Sequence, residues 1–454
     1  MKKLNISRRN FLGKAVTVGA AGIVAPSIIA SCSRNSGTRK AVALVPWIDR
    51  APDGPVLRAG LIGCGGRGKG AAVNFINAGP NLQITALGDI FKDRLDDARE
   101  TLSKAGQTIP YDKCFIGFDA YRKVIDSGVD LVILATPPYF RPGHFAAAVQ
   151  AGKHVFMEKP LCVDPAGARS IMASAEKAKQ LELCVATGTQ RRHQRDYVAA
   201  WTKVQEGAIG DIISAECYWN QGQLWYREPE KGWSEMEYMI RDWVNWSWLS
   251  GDHIVEQHVH NIDVVNWFTG SHPVKALSFG SRQRRKTGDQ YDNFSTDFVF
   301  ENGMHLHSMC RQINGCAVDV SEIIHGSDGS LHIANGSMCA IYDKTGKLKW
   351  EFGEYVPDRD GKPTHNVKVN PYDQEHIDLV RAIRTNNQVN EAEATAVSTL
   401  TAIMGRISAY SGKEVTWDEM MNSDLELGPK VLELCSVNVT KEIPVPGEGD
   451  EKGE

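Results

Sequence analysis

Apolar and polar positions follow two alternating patterns between residues 57 and 187. Short apolar runs have the length of buried strands, and longer runs whose apolar positions recur every three or four residues have the period of helices. Strands are predicted at 57–62, 83–87, 131–135 and 154–157, and helices at 71–76, 92–105 and 140–151. This alternation predicts an α/β fold with a parallel sheet and helices on both of its faces.

From about residue 188 the pattern changes to strand-like runs separated by turns rich in Asn, Asp, Gly and Ser, which predict β-hairpins. Strands are predicted at 212–219, 294–300, 304–309, 323–325, 331–333, 338–342 and 348–350, and helices at about 257–267, 373–384 and 392–411. We expect an antiparallel sheet with helices on one face and a partner subunit on the other, and therefore a homo-oligomer. Residues 437–454 are predicted to be a frayed tail.

Residues 1–31 carry five basic residues and no acid, and their second half, residues 15–30, is a stretch of small and apolar residues. This order is typical of an export signal, and the stretch is shorter than the roughly 20 residues of a membrane-spanning helix. Residues 7–12 resemble a twin-arginine motif. Residues 29–32 resemble a lipobox, which predicts a lipid on Cys32. We therefore expect a periplasmic protein anchored by that lipid, with residues 32–55 as a tether or arm.

The composition of the 454-residue chain, 42% hydrophobic and 23% charged, excludes a disordered protein and a multi-span membrane protein. The formal charge of −4 becomes −9 without the five basic residues of 1–31, so nothing favours nucleic acid. Nine cysteines remain besides Cys32, an odd number, and several lie in apolar runs. That pattern predicts buried thiols, with neither a disulfide framework nor a zinc module.

A glycine-rich turn follows the first predicted strand and precedes a helix. Gly63, Gly65 and Gly68 have the spacing of a dinucleotide-binding loop, and Gly66 and Arg67 lie within it. Glycines there permit a tight turn and a close backbone approach to a pyrophosphate, which the N-terminus of the helix attracts.

Asp89 ends the second predicted strand, about twenty residues after the glycines. An acid at this place can bind the hydroxyls of the adenine ribose, and its charge repels a 2′-phosphate. NAD is therefore the predicted cofactor. Arg67 leaves NADP as the alternative, because a cation in the loop could bind that phosphate.

Two further segments carry a resemblance to a known family. Residues 135–138 read Ala-Thr-Pro-Pro, His144 follows, and residues 151–160 read Ala-Gly-Lys-His-Val-Phe-Met-Glu-Lys-Pro. Together they resemble the signature of the glucose–fructose oxidoreductase and inositol dehydrogenase (Gfo/Idh/MocA) family, over about residues 56–435.

The resemblance implies an N-terminal Rossmann domain at 56–187. It implies a C-terminal α/β domain with a large, mostly antiparallel open sheet at 188–436, for substrate binding and oligomerisation. The Glu-Lys-Pro turn would lie beside the nicotinamide, with Lys159 on the substrate hydroxyl. Independently, a lysine at the carboxyl end of a parallel strand faces the ligand crevice. The other cofactor-binding residues so implied are Thr136, Pro137, His144 and Glu158.

Residues 251–263 hold three histidines, several acids and an amide. The family pattern here, an acid, a histidine four residues later and an aspartate three further on, aligns with Glu256, His260 and Asp263. The chain departs from it at Glu256, where Asp is more usual, and at His258, where a small residue is usual.

His260 is the expected general base, because a histidine titrates near working pH. Glu256, four residues before it, is expected to share its helical face and orient it, or to bind a neighbouring hydroxyl. Asp263 is expected to be structural or a partner of His260. On a regular helix His258 would point towards solvent or a subunit contact. The non-catalytic alternative is a satisfied polar network under the sheet.

A metal site is the other alternative for this cluster, because His258 and His260 with Glu256 and His253 could bind a divalent ion. The pair has no third ligand at a fixed spacing, so we predict no metal. Six tryptophans between 219 and 248 suit a carbohydrate, although any single one is more often part of a core. The candidate substrate contacts are Gln190, Arg191, Trp243, His258 and Asp263.

These features predict an NAD-dependent oxidoreductase that acts on a hydroxyl of a sugar, glycoside or polyol. Export of the folded protein would carry the cofactor with it, which implies tight binding and recycling within the site. The first alternative is a redox-assisted glycosidase, because relatives in this family use bound NAD to oxidise, eliminate and re-reduce a sugar. The second is a non-catalytic sugar-binding lipoprotein.

Overall fold

The computed structural model describes residues 47–334, 338–353 and 369–447. Its first sheet has six parallel strands in the order β3-β2-β1-β4-β5-β6. The strands are β1 (Leu57–Ile62), β2 (Leu82–Asp89), β3 (Cys114–Ile116), β4 (Leu131–Leu134), β5 (His154–Met157) and β6 (Val185–Thr187), and the helices are α1 (Gly66–Asn77), α2 (Lys92–Lys104), α3 (Ala120–Ile125), α4 (Arg141–Gln150) and α5 (Pro165–Gln180). The predicted doubly wound fold is confirmed, and its strand order reverses between β1 and β4, where such folds bind ligands.

The second sheet has nine strands in the order β14-β13-β12-β11-β7-β10-β9-β8-β15. Its strands are β7 (Ile212–Gln221), β8 (Pro273–Ser281), β9 (Asn293–Phe300), β10 (His305–Gln312), β11 (Asp319–Gly326), β12 (Gly329–Ala334), β13 (Met338–Asp343), β14 (Leu348–Glu351) and β15 (Val415–Thr416). Every neighbouring pair is antiparallel except β7 with β10. The expected mostly antiparallel sheet is therefore confirmed.

Helices cover one face of this sheet. The helices of the second region are α6 (Arg195–Gln205), α7 (Glu235–Arg241), α8 (Ser247–Ser250), α9 (His253–Glu256), α10 (Val259–Thr269), α11 (Pro371–Arg384), α12 (Ala392–Ser411) and α13 (Trp417–Asn422). On β8, Ala276 and Ser278 are buried beneath α12, whereas Leu277 and Phe279 on the opposite face are exposed. The homo-oligomer predicted through that face stays a prediction.

Two chain segments make contacts that the predicted organisation did not include. Residues 47–55, expected within a tether or arm, lie against the first domain, with Ala51 buried and its N–H on the carbonyl of Ala78. In the predicted tail, Val437 is buried and the Tyr291 hydroxyl donates to the carbonyl of Pro444 at 2.7 Å, whereas most of residues 438–447 are exposed. Cys32 and residues 448–454 lie outside the described residues.

Helix α11 belongs in sequence to the second region but packs on the first sheet. Its Ile377 and Val380 join the core formed by Ala59 and Leu61 of β1. The Rossmann core is therefore completed by a helix from near the other end of the chain, which a division at residue 187 does not anticipate.

Across the described ranges, no helix is both long and apolar enough to cross a bilayer. The nine cysteines after Cys32 all carry free thiols, and six of them are buried.

The glycine turn offers a matched pair of substitutions. A Cβ added to Gly68 would lie 1.9 Å from the carbonyl oxygen of Gly63, whereas a Cβ on Gly66 would meet nothing within 4 Å. Gly68→Ala should destabilise the protein by about 1–3 kcal/mol, the usual cost of overpacking. Gly66→Ala should be neutral or stabilising by up to about 1 kcal/mol, because alanine is the better helix former. Urea unfolding of both variants checks this, and equal stability of the two would contradict it.

Candidate active site

The glycine turn brings β1, β4 and α1 into close contact. Gly63 has φ +95°, and a Cβ there would lie 2.6 Å from the backbone nitrogen of Thr136. Helix α1 begins at Gly66, and no acidic side chain occupies its first turn. Its N-terminal N–H groups and positive dipole end are therefore available to a pyrophosphate, so the turn fits a dinucleotide.

A pocket opens at the carboxyl ends of these strands. Six of the predicted cofactor-binding residues line it: Gly63, Gly65, Asp89, Thr136, Pro137 and His144. His144 is buried and stacks on Tyr121 with 4.2 Å between ring centroids, and burial lowers its pKa to about 3. The wall is thus neutral and partly aromatic on this side. Gly66, Arg67, Gly68, Glu158 and Lys159 are not part of this lining.

Asp89 has two roles in the pocket. Its two carboxylate oxygens accept hydrogen bonds from the backbone N–H groups of Cys64 (2.7 Å) and Phe91 (2.9 Å). Each oxygen retains a lone pair that a ribose hydroxyl can use. Burial raises the pKa of Asp89 above its ordinary value. The carboxylate therefore holds the glycine turn as well as facing the ribose position.

Arg67 does not lie where a 2′-phosphate would need it. Its guanidinium contacts the carboxylates of Glu158 and Glu375, and it stacks over Tyr372 at 4.7 Å. Both acids are buried, so the arginine neutralises charges that would otherwise be costly to bury. Arg67 is therefore paired with acids outside the lining of the Asp89 pocket, which gives the NADP alternative no support.

Lys159 follows β5 and meets the second domain. Its Nζ lies 2.9 Å from Oε1 of Glu256 and also donates to the main-chain carbonyl of the same residue. Both side chains are largely buried, 12% and 8% exposed. A hydrogen-bonded pair at this depth holds the ammonium in one place at the domain junction.

His260 lies at the start of α10, and its ring stacks on Trp219 with 5.5 Å between centroids. Its Nδ1 is buried and has no hydrogen-bond partner among the described residues. Burial, then the positive charges of Lys159 and Arg191, lower its pKa well below the ordinary value. The imidazole is therefore neutral near pH 7 with a free ring lone pair, but its pKa does not lie near working pH as the sequence argument for a general base expected.

The expected pairing of Glu256 with His260 is wrong. The chain does not form one helix across them, because α9 ends at Glu256 and α10 begins at Val259. Glu256 instead binds Lys159 through one oxygen and the Nε2 of Gln257, at 2.6 Å, through the other. The carboxylate therefore positions the lysine, and His260 is held by its aromatic neighbour.

His258 lies away from the position expected of it, whereas Asp263 has the structural role that was the first of its two expectations. His258 is fully buried with Nε2 2.7 Å from the hydroxyl of Ser308, and burial lowers its pKa to about 3, so the expectation that it points to solvent or a subunit contact is wrong. Asp263 accepts two 2.8 Å hydrogen bonds from Arg192 and one from Ser398, so it is not the partner of His260. Neither position favours a substrate contact.

The remaining candidate substrate residues are divided between two places. Arg191 is buried against Glu322, with its guanidinium 5.4 Å from the ring of Trp219, so it supports the aromatic wall beside His260. Gln190 keeps a buried side-chain oxygen with no hydrogen-bond partner in the described chain. Trp243 lines the pocket of Asp89, so it belongs to the dinucleotide side.

Sequence reasoning missed a set of buried charges that α11 brings to the glycine turn. Glu375 is fully buried beside Arg67, and burial, then the charge of Glu158, raise its pKa well above the ordinary value. Burial acts to lower the pKa of His193, but the carboxylates of Glu391 and Asp378 outweigh it and hold this pKa well above its usual range. The available signal was the pair 375–376, a glutamate and a histidine on the apolar face of a predicted helix.

No group of three or more His, Cys, Asp or Glu side chains within the described ranges is arranged to hold a metal ion. The proposed ligand His258 directs its Nε2 at Ser308.

These features are those of an NAD-binding oxidoreductase: a glycine turn at a strand-order reversal, an acid at the ribose position and a buried lysine at the domain junction. Family models agree in both halves of the chain. The model described as "Oxidoreductase family, NAD-binding Rossmann fold" matches residues 57–187, and that of the "GFO/IDH/MocA C-terminal domain" matches 197–332. The chain belongs to the GFO/IDH/MocA family.

Three similar proteins illustrate the range of this family. A glycosyl hydrolase family 109 protein of Solibacter usitatus is 29% identical over 325 residues, 69% of each chain. The scyllo-inositol 2-dehydrogenase (NAD(+)) of Bacillus subtilis is 23% identical over 282 residues, 61% of this chain and 73% of the relative. The solved structure of levoglucosan dehydrogenase with NADH and levoglucosan has a TM-score of 0.61 at 18% identity, covering 79% of this chain and 99% of that one.

Because several histidines are buried in their neutral form, we expect the folded protein to lose stability at acidic pH. His144, His258, His260 and His376 all have pKa values lowered by burial, so between about pH 6.5 and those values the unfolded chain binds protons that the native one does not. Their contribution to stability is present above about pH 6.5 and is lost as the pH falls. His193, with its raised pKa, contributes in the opposite sense and is fully effective below that pH.

His376 isolates the effect, because it stacks on Phe156 and neither ring nitrogen has a partner in the described chain. His376→Leu should reduce the dependence of unfolding free energy on pH, between pH 6.5 and 5, by up to about 1.4 kcal/mol per pH unit. The exposed His307 provides the control, His307→Asn. Denaturant unfolding across this pH range tests it, and an unchanged slope in His376→Leu would show that the histidine is not buried in its neutral form.

Proposed function

We propose that this protein oxidises a secondary hydroxyl of a sugar, glycoside or polyol, keeps its NAD bound between turnovers, and reoxidises it by passing the hydride to the carbonyl of a second substrate. The observation that carries the proposal is the buried Lys159–Glu256 pair, which stands at the domain junction with His260 in electrostatic range. The two relatives and the levoglucosan enzyme, named for sugar and inositol chemistry, support the substrate class.

NAD, when bound, would supply the hydride acceptor for oxidation of the carbinol carbon and the hydride donor for the reverse reaction. Lys159 donates a hydrogen bond to the reacting oxygen and stabilises its developing negative charge. His260, neutral and within electrostatic range of Lys159, accepts the hydroxyl proton on its imidazole and gives it back on reduction. Glu256 holds the lysine in place, and Trp219 offers an aromatic surface beside the histidine.

Lys159→Met should lower turnover by about 10²–10⁴, the scale of a positioned acid–base group, with NAD still bound. The lysine serves the substrate oxygen and does not line the dinucleotide pocket. Lys153→Met is the matched control, because Lys153 precedes the opposite end of β5 and donates to the carbonyl of Val129. Turnover and nucleotide content are measured together. Loss of NAD with normal turnover after refilling would contradict the role of Lys159.

A second candidate is the redox-assisted cleavage of a glycoside, favoured by the relative named as a glycosyl hydrolase. A transient ketone would acidify the adjacent C–H, and His260 or Glu256 would remove that proton as the leaving group departs. The two candidates differ in products. An oxidoreductase converts a sugar or polyol to a ketone and leaves the cofactor reduced until a second carbonyl compound accepts the hydride, whereas the cleaving enzyme yields a free sugar and ends with oxidised cofactor.

The proposal extends to location, on the support of the sequence motifs alone. The twin-arginine motif and the lipobox occur in the right order, so we infer export of the folded protein and a lipid on Cys32. The processed chain should begin at Cys32 and partition with membranes, and Cys32→Ala should abolish the lipid. Mass spectrometry of the N-terminus checks this, and a fully soluble protein that starts elsewhere would contradict it.

A further inference from the structure

The dinucleotide pocket is not built from the Rossmann domain alone. Ile240, Arg241 and Trp243, from the segment between β7 and β8, line it together with Asp89 and Phe91. The first two close α7, and Trp243 follows it in the next turn. Because Asp89 marks the ribose position, these three side chains wall the adenosine half of the cofactor.

Arg241 fastens this wall to the Rossmann domain. Its two terminal nitrogens lie 3.0 and 2.9 Å from the two oxygens of Asp93, a bidentate pair, and its Nε lies 2.8 Å from Glu237. The guanidinium also stacks over Phe91 at 4.0 Å and lies 5.0 Å from the ring of Trp233. Asp93 is in the first turn of α2, four residues after Asp89. The Arg241–Asp93 ion pair therefore lies at the end of the pocket that Asp89 lines.

The C-terminal segment, residues 427–441, holds α7 from its other side. The N–H of Met236 donates to the carbonyl of Cys435 at 3.1 Å, and the N–H of Val437 donates to the carboxylate of Glu235 at 2.8 Å. Val437 shares an apolar cluster with Met236, Met239 and Ile240.

The same segment is also tied to the Rossmann domain. The N–H of Leu427 donates to Asp164 at 3.0 Å, and the hydroxyl of Tyr139 donates to the carbonyl of Pro429 at 3.1 Å. The segment thus crosses from one domain to the other over α7. Opening the wall would require breaking contacts on both sides of that helix.

We propose that α7, fastened by the Arg241–Asp93 pair and backed by residues 427–441, is a cofactor-retaining cover that makes NAD a resident group. This deepens the proposed function, since a recycled cofactor must outlast many turnovers. A bidentate arginine–carboxylate pair is short and directional, and the Arg241 side chain is only 13% exposed, so loss of the pair should speed dissociation of NAD more than it changes association.

The test measures release of NAD from the holoenzyme. Protein saturated with isotopically labelled NAD is mixed with excess unlabelled NAD, and the labelled nucleotide that remains bound is followed over time. Arg241→Ala and Asp93→Asn should each release it at least about tenfold faster, and the double variant little faster than either, because both remove one interaction. Asp93 is 60% exposed, so Asp93→Asn does not endanger folding.

Lys92→Ala is the matched control, because Lys92 forms an exposed pair with Asp96 on the same helix and should leave release unchanged. Release from Arg241→Ala and Asp93→Asn at the rate of wild type would overturn the proposal, as would additive effects of the two substitutions. The assay needs no sugar substrate. Faster release in a protein that oxidises no sugar would therefore leave the cover intact and refute the proposed function alone.

Discussion

The site depends on the pairing of charges that are buried where the two domains meet. Glu158 and Lys159 follow β5, and Arg191 and Arg192 follow β6, and each of the four side chains contacts an opposite charge. An unpaired charge at such depth would cost several kcal/mol, so each pair fixes the position of its partner. The junction is thereby specified at several points, and it holds Lys159 and the ring of His260 in a single arrangement.

This arrangement separates two tasks between the domains. In the function proposed above, the Rossmann half supplies the glycine turn and Asp89 for the dinucleotide, and the second half supplies His260, Glu256 and the aromatic wall of Trp219. The exceptions are informative: α11 completes the first core, and α7 walls the dinucleotide pocket. Both cross the junction, so cofactor binding and the mutual position of the domains are physically coupled.

Local patterns were enough to predict most of the fold. The predicted helix at 392–411 matches α12, and the strand at 154–157 matches β5, because each carries its own periodicity. The partners of the site were not predictable in this way. Glu256 pairs with Lys159, which lies 97 residues away in the sequence. The helix break at Gln257 that directs Glu256 towards Lys159 is not signalled by any glycine or proline in the sequence. Arg67 likewise pairs with Glu375, from a helix 308 residues away.

In the proposed function, the junction removes a hydride and a proton from one carbinol centre while the nicotinamide stays bound. The most direct measurement is a single turnover of the NAD-loaded protein against a panel of sugars, polyols and glycosides, each with deuterium or hydrogen at the carbinol carbon. Bound cofactor should become reduced with at least one of them, more slowly for the deuterated form, without leaving the protein. Absence of reduction with every compound, or reduction at a rate insensitive to deuterium, would contradict the account.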